Sequence, residues 1–208
     1  MTLTLLLVIM TAALSYQAFN NPSMRNRMLL HPVSVARGES YRLITHGFVH
    51  ADWQHLLINM LVLYQFGQIA EQLFRVIFGT RLGAGMFVLF YFSAIIISAS
   101  PSYFKHRDNN YYSALGASGA TSALVFTYIF LDPWRWFLFP PLPAILFGVA
   151  YLWYSSYMSK KAMDNLGHDA HFWGAMYGIV FIVVSAFAFR PALLSRFLDL
   201  LLSGPREF

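Results

Sequence analysis

Ser118 lies in the run Gly116-Ala117-Ser118-Gly119-Ala120, and His171 follows Gly167-His168-Asp169-Ala170. A serine hydroxyl is a weak nucleophile until an adjacent base takes its proton. A neutral imidazole near pH 7 is such a base. Together the two side chains can attack a carbonyl carbon. The tetrahedral species that forms carries an oxyanion and needs preorganised donors. His55 and Asn59 are four residues apart, so on a helix they share one face and offer two donors. The backbone N–H of Ser118 becomes a third if a helix begins there, because the first amides of a helix lack intrahelical partners. His171, Gly174 and Gly178 also share a face, and the Gly174/Gly178 pair lets a neighbouring helix approach closely. The small residues Ala114, Gly116, Ala117, Gly119 and Ala120 around Ser118 can receive that neighbour.

Each residue also has a plainer reading. Alone, Ser118 is a small residue at a helix contact, and His55, Asn59 and His171 are interhelical hydrogen-bond donors worth only about 0.6 kcal/mol each. The pairs His168/His171 and His46/His50 have spacings that could bind a metal. No carboxylate or thiol completes either set, and the His-Glu-x-x-His signature of zinc proteases is missing. The expectation is therefore chemistry without metal or cofactor. Asp169 reads as an acid at a helix N-terminus, Glu71 as a stabiliser of its own helix end, and His31 and His106 as solvated loop residues.

These residues need elements that hold them in an apolar medium. The chain has 208 residues, 58% hydrophobic and 11% charged, against about 25% charged in a soluble domain. It has no cysteine, which excludes disulfides, thiolate metal sites and a cysteine nucleophile. The net charge of +5 is spread along the chain without a basic run, so nucleic acid is not an expected partner. A bilayer core of ~30 Å takes about 20 apolar residues as helix. Six segments are expected to span it: 3–19, 48–70, 83–100, 113–131, 138–157 and 170–189. Spans two, four and six run in the same direction, and their N-terminal ends carry the three polar clusters. The clusters thus meet at one membrane face, which independent packing motifs would rarely achieve and an active site requires.

The reading is one all-α domain over 1–208, a polytopic six-helix membrane bundle. Residues 20–47 form an interfacial loop and 190–208 a tail with an amphipathic helix, from Leu193, Leu194, Phe197, Leu198, Leu201 and Leu202 at helical spacing. The N-terminal segment lacks the basic region and cleavage site of a secretory signal, so it is expected to be retained. Lys and Arg are slightly more frequent in the first, third and fifth loops, which taken alone places the termini outside. Pro140, Pro141 and Pro143 near the start of span five mark it as a mobile wall.

The chain resembles the rhomboid family of intramembrane serine proteases. The resemblance rests on Tyr41-Arg42, on His50 with His55 and Asn59, on Gly67 and Glu71, on Gly116-x-Ser118-Gly119, and on Ala170-His171-x-x-Gly174-x-x-x-Gly178, in order over residues 41–178. It implies a Ser118–His171 dyad without an essential aspartate. Ser118 is then the nucleophile, His171 the base and later the acid, and His55, Asn59 and the Ser118 N–H the oxyanion hole. His50, Gly116, Gly119, Gly174 and Gly178 have supporting places. It also implies termini on the cytoplasmic side. Two departures stand out. Tyr41 replaces the more usual Trp, and Ser122 occupies the position, four after the serine, where relatives often stack an aromatic ring on the imidazole. Something else must then hold His171, with Trp173 and Tyr177 as candidates.

The expected function is hydrolysis of peptide bonds in or near transmembrane segments of membrane-protein substrates. The lipid bilayer is the other partner, and the oligomeric state is open. The minimal six-span plan suggests a prokaryotic plasma membrane. The alternatives are an inactive relative that binds membrane clients, and a small transporter using the histidines.

Overall fold

In the computed structural model, residues 1–138, 140–161 and 167–205 are described. Asp164, read as a boundary of the fifth span, and the end of the tail, 206–208, lie outside them. Ten α-helices form among the described residues: α1 Leu3–Asn20, α2 Pro22–Met28, α3 Pro32–Ala36, α4 Arg42–Thr45, α5 Trp53–Phe78, α6 Thr80–Lys105, α7 Ser118–Leu131, α8 Ala144–Lys161, α9 His168–Phe189 and α10 Ala192–Ser203. Helices are what an apolar medium permits, since each backbone group is satisfied within its own segment. Three of them, α1, α6 and α9, are long and apolar enough to cross a membrane. α5 and α8 have the length, but Gln65, Gln68, Glu71, Gln72 and Arg75 dilute one and serines and tyrosines the other. α7 is apolar but has only 14 residues.

The span expected over 83–100 is helical over 80–105, and the one expected over 138–157 begins only at Ala144, past Pro140, Pro141 and Pro143. Two further boundaries moved for local reasons. Residues 48–52 do not belong to the second helix. Asp52 caps it instead, its carboxylate accepting from the His55 N–H at 2.8 Å, so the helix starts at Trp53 and runs on to Phe78. Residues 113–117 are not helical either. Ala114 pairs with Leu30 in a two-hydrogen-bond antiparallel bridge. Gly116 has φ +118°, a left-handed conformation that glycine alone adopts without strain.

The core lies between α5 and α6, around the fully buried Phe74, Phe87, Phe90 and Tyr91, with Leu7 of α1 and Ala120, Ala123 and Leu124 of α7 against it. Outward faces carry exposed apolar side chains, among them Leu57, Leu61, Val149, Trp153 and Phe187.

α1 docks on α5 through residues that the sequence reading gave another task. Thr4 lies against Gly67, where an added Cβ would meet its Cγ2 at 2.7 Å. The buried Glu71 carboxylate accepts from the N–H of Leu3 (3.3 Å) and Thr4 (3.0 Å) and from the Thr4 hydroxyl (3.0 Å), and pairs with Arg75 at 2.9 Å. Glu71 therefore serves chiefly as a cap for α1, neutralising the orphan amides and positive dipole end of a helix distant in sequence.

Segment 20–47 is a chain of short helices knotted by Arg42. This buried guanidinium donates to the carbonyls of Asn26 (2.7 Å) and Leu29 (3.0 Å) and pairs with Glu39 at 2.7 Å. The Arg42 hydrogen bond holds the Glu39 carboxyl below the usual carboxylate range. The tail forms α10 as expected, packing Leu193, Leu194 and Phe197 inward and leaving Leu198 and Leu202 exposed.

Candidate active site

Ser118 is the first residue of α7. Hydrogen bonds to three residues fix the strap that leads into it. Leu30 holds Ala114, the His46 carbonyl accepts from the Gly116 N–H at 2.9 Å, and His50 Nε2 accepts from the Ala117 N–H at 3.2 Å. The wholly buried His50 also bonds Ser15 Oγ through Nδ1 at 2.9 Å, and Ser15 donates its own proton to the Phe48 carbonyl at 3.1 Å. These directions assign the tautomer. Nε2 accepts, so Nδ1 carries the hydrogen, and the imidazole is neutral with both nitrogens occupied. His50 is thus a strut between α1 and the start of α7.

The His55 ring lies over Gly116, where an added Cβ would meet Cε1 at 2.5 Å and Nε2 at 2.8 Å. It also stands edge-on to His50 at 4.9 Å. Asn59 is buried and oriented: Nδ2 donates to the His55 carbonyl at 2.9 Å, and Oδ1 accepts from the Thr121 hydroxyl at 3.1 Å. His55 and Asn59 therefore face the first turn of α7, and the pairings 55–116 and 59–121 show the two helices running parallel.

α9 joins the same place. A Cβ on Gly174 would collide with the Gly119 carbonyl oxygen and lie 2.9 Å from its Cα. A Cβ on Gly178 would collide with the Ala123 carbonyl oxygen and lie 2.8 Å from its Cα. The steps 119–174 and 123–178 make α7 and α9 parallel, with backbones in direct contact as Gly-x-x-x-Gly allows. Gly119 is closed in from the other side by Ser98 of α6. Ser118 thus adjoins the tightest point of the bundle, and His171 precedes Gly174 by about one helical turn. Both side chains are half-buried. A cavity of about 30 Å³, enough for one water, lies beside Ser118 and is lined among others by His46, Ser98, Ser102, Tyr112 and Ala170.

The support of His171 differs from the expectation. Trp173 is exposed and packs edge-on to Phe172, while Tyr177 stacks on Phe90 and shares a hydrogen bond with Ser93. Tyr151 of α8 faces the imidazole instead, with ring centroids 6.0 Å apart and planes 30° from parallel. Nothing near His171 in sequence signals this, because Tyr151 lies on another helix.

Against this geometry stand the comparisons with known proteins. The rhomboid domain matches over residues 37–186. The chain belongs to the rhomboid family. Within that family it is 30% identical over 171 residues to "RHOMBOID-like protein 12, mitochondrial" of Arabidopsis thaliana, covering 77% of this chain and 51% of the relative. It is 32% identical over 111 residues to "Putative rhomboid protease YdcA" of Bacillus subtilis strain 168, covering 53% and 51%. The chain spans about half the length of these curated relatives. With its rhomboid domain and apolar helices, it is an all-α, multi-pass membrane protein.

His168 and His171 stand edge-on at 5.8 Å. No group of three or more potential metal-binding side chains forms among the described residues. Asp169 goes beyond the dipole role read for it, linking Lys105 of α6 at 3.3 Å and Ser159 of α8.

Proposed function

We propose that this rhomboid-family chain is an intramembrane serine endopeptidase, with Ser118 as nucleophile and His171 as general base. The observation that carries the reading is the glycine-locked parallel seam of α7 and α9, which sets the start of α7 level with the second turn of α9, just past His171. Six helices, α1 and α5–α9, would then be the spans. α7, at ~21 Å, is shorter than the ~30 Å apolar layer. Its N-terminus and Ser118 would therefore sit below the headgroups, reached by the strap 113–117.

The chemistry follows from this placement. His171 takes the Ser118 proton as Oγ bonds to the scissile carbonyl carbon. The carbonyl oxygen becomes an oxyanion facing the Ser118 N–H, His55 and Asn59. One Asn59 amide hydrogen goes to the His55 carbonyl, which leaves the second for the oxyanion. Loss of one such donor typically costs about 2.7–4 kcal/mol of transition-state stabilisation. Collapse breaks the C–N bond, and His171 returns the proton to the leaving amine. A water then repeats the sequence on the acyl-enzyme, regenerating Ser118. The substrates would be transmembrane segments with helix-weakening residues near the cut, because a helical peptide bond is shielded from attack.

Purified protein in liposomes, given a test transmembrane substrate, should cleave it and should label at Ser118 with a fluorophosphonate. Ser118→Ala and His171→Ala should abolish cleavage. Cleavage that survives Ser118→Ala rejects the mechanism. Absent labelling with a metal- or proton-dependent flux that His171→Ala removes would favour the transporter reading.

A further inference from the structure

α8 buries only Ala144, Gly148 and Ser155 of its 18 residues, yet it brings tyrosine rings to the histidines of α9. Tyr151 and Tyr154 are one turn apart, as are His168 and His171. Tyr151 faces His171, and Tyr154 meets His168 edge-on at 5.5 Å. Successive pairs step in opposite directions along the two helices, so α8 and α9 are antiparallel and in register here.

Tyr151 is also tied to the helix that starts at Ser118. Its hydroxyl lies 2.6 Å from Ser122 Oγ, and Ser122 donates its own hydrogen to the Ser118 carbonyl at 2.7 Å. Ser122 has one hydrogen, already given away, so the Tyr151 hydroxyl is the donor to Ser122. The result is a directed chain from Tyr151 through Ser122 to the Ser118 carbonyl, with the Tyr151 ring against His171. Ser118 and His171 are thereby linked through Ser122 and Tyr151 by contacts that use neither Ser118 Oγ nor a ring nitrogen of His171. Tyr151 also touches Phe126 (6.0 Å) and Phe147 (5.7 Å). Those contacts would suit any apolar side chain of similar size. The bond to Ser122 fixes a tyrosine in one orientation.

We propose that Tyr151 is a positioning residue: aimed by Ser122, its ring sets the plane of the His171 imidazole for proton transfer from Ser118. The inference rests on the Ser118–His171 reading. It makes α8 part of the apparatus that orients the base, so a displacement of this lightly buried helix withdraws support from His171.

The test compares full-length wild type with Tyr151→Leu, which fills space without a flat ring, and Tyr151→Phe, which keeps the ring. Fluorophosphonate labelling of Ser118, kcat and KM on a transmembrane substrate, and thermal unfolding are measured together. In Tyr151→Leu, labelling and kcat should fall ~10–100-fold with KM within about twofold, and Tyr151→Phe should recover to within about fivefold of wild type, as expected for a small misplacement of a catalytic group. Wild-type labelling in Tyr151→Leu, an effect confined to KM, or equal impairment of the Phe variant overturns the proposal. If Tyr151→Leu does not fold, Ser122→Ala decides. It frees the ring and should lower kcat by a smaller factor, and an unchanged kcat overturns the proposal. Failure of wild type itself to label sinks the proteolytic reading and this inference with it. Failure of the Tyr151 variants alone leaves the proteolytic reading standing.

Discussion

Two interfaces around α9 are built in opposite ways. On one side α9 meets α7 backbone to backbone, at Gly119–Gly174 and Ala123–Gly178, with no space for even a methyl group. On the other it meets α8 through rings, Tyr151 on His171 and Tyr154 on His168, and through Ser159 on Asp169. A backbone contact has no rotamers and cannot yield without moving a helix. A ring contact yields by a torsion. The difference teaches a division of labour. α7 and α9 are fixed to each other, and α8, which carries Tyr151, is attached through side chains that can move.

The largest effect is expected from one substitution placed at the α7–α9 backbone seam and, for contrast, at a side-chain contact of α8, namely the one it makes with α7. Gly174→Ala drives a methyl into the Gly119 carbonyl, so stability should drop by about 1–3 kcal/mol, with cleavage largely lost. Gly148→Ala on α8 meets only side-chain ends, Ile129 Cδ1 at 2.9 Å and Phe126 Cε1 at 3.3 Å. Because those ends can rotate, its cost should stay below about 1 kcal/mol. Thermal unfolding of both variants decides, and equal losses would erase the distinction.

A comparable but less global effect is expected at the strut. His50→Ala strands the Ala117 N–H and removes the hydrogen bond that Ser15 Oγ accepts, and a stranded buried group costs about 1–3 kcal/mol. Ser118 labelling should fall with it, because the strap is released at its last bond. Wild-type labelling in a folded variant would show that the strap needs no strut.

Acid should loosen the seam from the loop side. His46, whose carbonyl holds Gly116, is buried, and burial holds its imidazole down at about 4, against an ordinary value of 6.5. Between those values the unfolded chain binds more protons than the folded one, so stability should fall as pH drops from 6.5 toward 4. His46→Asn should flatten that slope, and an unchanged slope would move its origin elsewhere. The smallest effect is kinetic. Amide exchange in α8 should be faster than in α7 and α9, since few of its residues are buried.

Much of the site was legible because its signals are local. Helical spacing put His55 with Asn59, and both face the first turn of α7, while Gly174 and Gly178 line the α7 seam as their spacing suggested. Span parity anticipated the parallel approach of α5, α7 and α9. The errors fell where a residue's partner is remote. Glu71 was read as stabilising the end of its own span or the loop after it; it does pair with Arg75 there, but it also caps α1, 67 positions away. Residues 113–117 looked apolar enough for helix, but Leu30, His46 and His50 hold them out of it. The support of His171 was sought on its own helix and lies on α8.

The amino-acid sequence alone was enough to indicate the apolar helices and the small-residue contacts, and it singled out the side chains proposed as reactive. Periodicity and hydropathy act over one or two turns and need no knowledge of a neighbour. Only the tertiary structure decided where α7 begins, what locks the His50 tautomer and which ring faces His171. Each of those depends on the distance between helices far apart in the chain, and no local pattern encodes a distance across the bundle.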